Sequence, residues 1–190
     1  MAKQSGKSFR SFLGVEPSKP TTKDSVLVIV DAQNEYDHGL LAISDVKSSR
    51  AIIGDVLKKY RDANGDVVHV RHSTPDGAPL FTPKTELAEE FEELTQGAGA
   101  SEKVVHKQHP SSFTGTDLHE HLDKLGKKKI AHVCISNTSR AGAELGYDVS
   151  VLADGIGDRD IPGASAKQLV DTTLAELGDV SATVIHSEDL

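Results

Sequence analysis

Three residues that can do chemistry stand where apolar runs of this chain end. Asp31 closes the run "VLVIVDA" (26–32) but for one alanine, Lys107 closes "EKVVHK" (102–107), and Cys134 follows "IAHV". Cys134 is the single cysteine, and the small-residue stretch "ISNTSRAGAELG" follows it. Taken singly, each has a plainer reading: Asp31 as a helix cap or loop acid, Lys107 as a solvated strand terminus, Cys134 as a small buried hydrophobe. Taken together they form a chemical unit. A thiolate is the nucleophile, and a nearby ammonium and a helix N-terminus both lower a thiol's pKa. A carboxylate can take the thiol proton and return it to a leaving amine. Backbone N–H groups at the turn before the helix can hold an oxyanion. The reaction class is acyl transfer from an amide-like C–N bond to sulfur, followed by hydrolysis of the thioester.

The elements that must position these residues alternate between short apolar runs and helical stretches. Residues 26–32 read as a strand buried on both faces, being nearly continuous Val, Leu and Ile. A helix is expected over 48–63, with Ile52, Ile53, Val56, Leu57 and Tyr60 at helical spacing and "ANGD" as its stop. Strands follow at 67–72 and 102–107, separated by the Pro- and Gly-rich loop "STPDGAPLFTP" and a short acidic helix in "TELAEEFEEL". A helix that Thr116 can cap and Gly126 can stop comes next. A strand at 147–154, a helix over 164–177 and a last strand in "ATVIHS" complete the chain. This alternation is that of one α/β domain with a mostly parallel sheet, in which ligands bind outside the carboxyl ends of the strands. All three residues sit at that edge.

Composition narrows the role. The chain has 190 residues and a net charge of -8, which argues against nucleic acid or an anionic membrane surface as the main partner. A lone cysteine cannot form an internal disulfide, so a reducing, cytoplasmic setting is the expectation. Residues 1–24 are basic, hold no apolar core of a secretory signal, and read as an N-terminal arm before a domain at 25–190.

At these motifs the chain resembles the isochorismatase-like cysteine hydrolases, a family of nicotinamidases, carbamoyl-amide hydrolases and isochorismatases. "VLVIVDAQNEY" resembles the family's first strand with its catalytic Asp, here Asp31. "VVHKQHPSSFTGTDLHEHL" resembles the segment with the catalytic Lys, here Lys107, and "AHVCISNTSRAGAELGYDVSVLADGIGDRD" the nucleophile helix, here led by Cys134. The resemblance implies a three-layer fold around a six-stranded parallel sheet with helices on both faces, assembled as a dimer or tetramer. It implies a small-molecule substrate, no cofactor, and a pocket to which Gln33, Asn34, Tyr36, His72 and Phe113 contribute. It also implies a cis peptide before the cysteine, with the N–H groups of Ile130 and Cys134 forming the oxyanion hole. Some relatives bind a metal after the second strand. Here His69 and His72 are three apart on a strand and point to opposite faces, so no metal is expected.

One departure stands out. The family pattern has a full apolar strand between the lysine turn and the cysteine, and this chain reads only "KKKIAHVC". About six residues are missing by that comparison, a stretch that would extend over roughly 20 Å. The fourth strand is therefore expected to be truncated, and three readings compete: a deletion or mis-joined exon in the sequence, a short strand that borrows residues from the helix start and so displaces Cys134, or an inactive relative with a binding role. The leading reading is a hydrolase of small amide- or carbamoyl-type substrates. The alternative is a catalytically impaired binding or regulatory relative.

Overall fold

The unbroken Val-Leu-Ile run makes β1 (Ser25–Val30), and every residue of it is buried. It lies at the centre of a six-stranded sheet of order β3-β2-β1-β4-β5-β6. The other strands are β2 (Asp66–His72), β3 (Lys103–Lys107), β4 (Lys129–Val133), β5 (Asp148–Leu152) and β6 (Thr183–Ile185), and all pairings are parallel. The computed structural model describes residues 6–97, 99, 102–133 and 136–190, so Cys134 lies outside the described residues.

Alternation along β1 sends its side chains to two cores. Val26, Val28 and Val30 meet Leu118 and Leu122 of α5 (Leu118–Leu125), Tyr147, and Leu177 of α7 (Ala166–Val180). Leu27 and Ile29 meet Ile53, Val56, Leu57 and Tyr60 on α3 (Val46–Asp62). Each buried Leu or Ile contributes roughly 1.5–3 kcal/mol. With α6 (Ser136–Glu144) packed on β5, helices cover both faces of the sheet. The packing of α6 is close: a Cβ at Gly142 would come within 3.3 Å of Val149 and 3.4 Å of the Phe113 ring. Gly126 ends α5 at φ +67°, a left-handed turn that glycine makes without strain.

The shortened fourth strand completes the sheet nonetheless. β4 has five residues, as many as β3 and β5, and it pairs with β1 from Ser25 to Ile29 and with β5 from Asp148 to Val151. It begins within the lysine run. That run is tolerated because its ammonium groups leave the sheet for acids: Lys127 to Asp66, Lys128 to Asp123 and Lys129 to Asp24. Ile130 is a mid-strand residue, opposite Val26 on one side and Val149 on the other, with its side chain in the core. It lies inside the ladder, not at the strand's carboxyl end, and the described residues contain no cis peptide bond. An oxyanion role for Ile130 is therefore not carried further.

The acidic segment after β2 also differs from expectation. Instead of one helix it forms a 3-10 turn, Glu86–Ala88, and a short α4 (Glu92–Thr95). The break is at Glu90, which bridges Gln33, while Asn34 N–H donates to Glu89 O and Phe91 N–H to Ala32 O. Tertiary hydrogen bonds to the end of β1 outcompete local helix propensity there. The arm before β1 is held by side chains: α1 (Phe9–Phe12) reaches Asp179 through the Phe9 N–H, and Ser18 bonds Thr183 and Asp148.

Candidate active site

Sheet order reverses between β1 and β4, and such a switch point opens a crevice at the carboxyl ends of the two strands. Asp31 stands on that edge. Its φ of +56° is rare for a residue with a side chain and turns the chain sharply out of β1. The turn is held by Asp31 N–H donating to Val70 O and Gln33 N–H to Asp31 O, both at 2.8 Å. Strain of this kind persists where surrounding structure enforces it, and such places are often functional.

Lys107 ends β3, two strands away, and its Nζ meets Asp31 Oδ2 at 2.7 Å. Both side chains are buried, Lys107 to 3% exposure and Asp31 to 8%. The ammonium also reaches His72 Nδ1 at 3.4 Å, His109 O at 3.3 Å and Pro110 O at 3.5 Å. Burial, and then the Lys107 charge, push the His72 imidazole below its ordinary range, so it offers Lys107 a lone pair. Burial raises the Asp31 carboxyl, with Lys107 opposing it. A carboxylate raised toward neutrality is suited to exchanging a proton. Asp31 Oδ1 has no hydrogen-bond partner among the described residues.

Asp31 lines a cavity of about 260 Å³ together with Tyr36, Ile43, Ser136, Ile156 and Asp158. Ser136 opens α6, and only Cys134 and Ile135 separate it from the last residue of β4. Asp31 and Asp158 are the only charged side chains among the described lining residues. Glu35, wholly buried, braces the rim: its carboxylate accepts from Leu40 and Leu41 N–H on one side and from Phe81 N–H on the other.

The residues expected in the pocket divide. Tyr36 lines the cavity and packs on Phe81, and His72 packs on the same ring from beside Lys107. Gln33 is spent on structure, its amide bonding His72 O, Ala88 O and His72 N–H. Asn34 binds Glu86 O, and Phe113 stacks on Tyr147. Cys134 falls outside the described residues. Residues without an earlier signal join them: Asp158 from the glycine-rich "GIGDRD", and the hydroxyls Ser112, Thr138 and Ser139. Hydroxyls in small-residue stretches give no periodicity by which to find them.

Residues 25–189 match the isochorismatase domain family. The chain belongs to the isochorismatase family. It is 56% identical, over 96% of its length and 98% of the relative's, to the secreted isochorismatase effector Isc1 of Verticillium dahliae. It superposes on the crystal structure of an isochorismatase from Pseudomonas putida KT2440 with a TM-score of 0.92 and 26% identity, covering 97% and 99% of the two chains. A streptothricin hydrolase of Streptomyces noursei is 29% identical over 82% of this chain and 57% of its own. These relatives support a hydrolase in general terms. They overturn the cytoplasmic expectation, because the Verticillium relative, similar over nearly the whole chain, is a secreted protein. A free cysteine count of one indicated a compartment only by default.

Proposed function

We propose that this protein is a secreted hydrolase that cleaves a small amide- or carbamoyl-type C–N bond through a thioester on Cys134, with Asp31 and Lys107 as its partners. The observation that carries the reading is the buried Lys107–Asp31 pair at the switch-point crevice, where Asp31 lines a cavity and its Oδ1 is buried without a partner among the described residues. Cys134 is covalently joined to Val133, which stands opposite Ile29, two residues before Asp31. In the proposed reaction Asp31 takes the thiol proton and sulfur attacks the carbonyl carbon. The tetrahedral intermediate collapses, the C–N bond breaks, and the amine leaves with the proton from Asp31. Water then attacks the thioester while Asp31 takes a proton from it, the C–S bond breaks, and the sulfur takes that proton back from Asp31 to leave the acid product and the free thiol. Lys107 holds Asp31 in place and stabilises the thiolate. The cavity's charged lining is acidic, which suits a neutral or cationic substrate with an apolar body. A fourth strand complete in the ladder supports this reading over that of an impaired relative.

A second reading has one observation in its favour, the name of the 56% identical relative. It would make the substrate isochorismate, a dicarboxylate whose vinyl ether is hydrolysed. A single experiment separates the two. The protein is incubated with a panel of neutral primary amides and carbamoyl compounds, and separately with isochorismate, and released ammonia and pyruvate are measured. Ammonia release that vanishes in Cys134→Ala supports the C–N reading. Pyruvate release that survives in Cys134→Ala, with no ammonia from any amide, replaces it with the second.

A further inference from the structure

We infer that Thr138 and Ser139 are positioning residues, a pair of buried hydroxyls that aim Cys134 by fixing the start of α6 to β4 on one side and to the Lys107 loop on the other. The inference rests on Cys134 being the nucleophile. It answers what orients a nucleophile whose preceding strand is short. The link between β4 and α6 is two residues, Cys134 and Ile135, so its geometry is set by where the strand ends and the helix begins. Two separate bonds set that relation.

On the strand side, Ser139 Oγ lies 3.1 Å from His132 Nε2. Ser139 is wholly buried and His132 is 1% exposed, in the ladder between Val28 and Val151. Burial drives the His132 pKa down to about 3, so the ring is neutral. Its Nδ1 has no partner among the described residues. A polar ring kept in an apolar layer at a desolvation cost, with one nitrogen on Ser139, is not what packing alone selects. The bond joins a residue of β4 to one of α6 across the two-residue link.

On the lysine side, Thr138 Oγ1 accepts from Ser112 N–H at 3.1 Å and lies 2.9 Å from Ser112 Oγ. Ser112 is wholly buried and belongs to the loop that leaves β3, the same loop whose His109 and Pro110 carbonyls receive the Lys107 ammonium. Adjacent residues of one helix thus tie it to the strand that precedes the cysteine in sequence and to the loop bearing the lysine's acceptors. Through Lys107 the chain of contacts reaches Asp31.

Because the chain has one cysteine, its alkylation reads this geometry without a known substrate. The rate of iodoacetamide labelling is followed against pH in the wild type, Ser139→Ala, Thr138→Val, Ser139→Thr and Thr138→Ser, with folding checked by circular dichroism. The wild-type thiol should titrate below the ordinary value of about 8.5. In Ser139→Ala and Thr138→Val that titration should move up, slowing labelling at pH 7 by about tenfold for each pH unit moved. Ser139→Thr and Thr138→Ser, which keep the hydroxyls, should restore the wild-type profile. Folded alanine and valine variants with an unchanged profile overturn the clamp and leave Cys134 as nucleophile intact. An ordinary, slow thiol in the wild type overturns the nucleophile itself. Should the helix variants not fold, Ser112→Ala removes the hydroxyl bond to Thr138 without altering α6 while the Ser112 N–H bond remains, so a smaller upward shift is expected, and an unchanged profile there refutes a part for the Ser112 hydroxyl in the coupling to the lysine loop.

Discussion

Two buried ion clusters lie side by side in this sheet, and they are built to opposite rules. In the first, Lys107 holds one oxygen of Asp31 and the other has no partner among the described residues. In the second, His69 of β2, opposite Ile29, is bonded at both ring nitrogens, by Glu90 at 2.9 Å and Glu102 at 3.0 Å. Arg61 grips Glu102 with two nitrogens and spends the rest of its guanidinium on the carbonyls of Leu94 and Gln96. The His69 cluster satisfies its polar atoms and lines no part of the cavity. The Asp31 cluster leaves a buried acceptor without a partner among the described residues, on a residue that lines the cavity. A buried polar group without a partner is costly, about 1–3 kcal/mol, and is retained where something other than folding uses it. The difference separates charge that builds the fold from charge set aside for chemistry.

The largest effect that could break this comparison is on turnover. Asp31→Asn keeps the side chain's size and removes its capacity to carry a proton. Hydrolysis should fall by about 10²–10⁴-fold, the range for loss of a general acid–base group. The same change leaves the Lys107 ammonium buried without its counter-charge, which should destabilise the fold by about 3 kcal/mol. The double variant Asp31→Asn/Lys107→Met removes both charges and should recover stability in urea while activity stays lost. If Asp31→Asn hydrolyses substrate at the wild-type rate, the two clusters are of one kind and the assignment fails.

The next effect is on stability and comes from the other cluster. Glu102→Ala strips His69 and Arg61 of their shared acid, both partly or wholly out of water. Unfolding free energy should drop by about 2–3 kcal/mol, toward the low end for a buried pair because Arg61 keeps some contact with solvent. Hydrolysis per folded molecule should change less than about threefold, as expected of a change away from the reacting groups. A large activity loss in a stably folded Glu102→Ala protein would erase the distinction.

The sequence carried the first cluster and concealed the second. Asp31 and Lys107 end apolar strand runs, and a strand end in a parallel sheet is a place of known meaning, so both could be named before any coordinates. Periodicity likewise placed β1, α3 and the stop at Gly126. Glu90 sits in an acidic stretch and Glu102 beside a lysine, both indistinguishable from a solvated surface, and only the break of the 85–95 segment against the end of β1 brings Glu90 to His69. The fourth strand failed to show its completeness for a similar reason. Lysines read as surface, and nothing local says that each has an acid at the sheet's amino edge to run to. Gln33, expected in the pocket, is the reverse case: a polar residue two positions from Asp31 whose amide hydrogen bonds are spent on His72 and Ala88.

The smallest effect is a pH dependence whose sign differs between histidines. Burial lowers His69, but Glu90 and then Glu102 outweigh it, so its folded pKa stands above the ordinary 6.5. A group raised on folding binds its proton more tightly in the native state. Its stabilisation is therefore complete below about pH 6.5 and is lost as pH climbs through the folded value. Burial lowers His132 to about 3, and its contribution has the opposite sign: the native state refuses a proton that the unfolded chain accepts, so stability falls as pH drops from 6.5 toward 3. His72, lowered by burial and Lys107, adds to that acid-side loss. Urea midpoints should accordingly peak near neutrality and decline on both sides. In His69→Gln the decline above neutrality should flatten while the acid side remains. Each tenfold change in proton affinity is worth about 1.4 kcal/mol, so the alkaline slope measures how firmly Glu90 and Glu102 hold their proton. A His69→Gln protein that keeps the wild-type alkaline decline would show that the cluster does not hold a charged imidazole, and with it that the second cluster's satisfaction is not electrostatic.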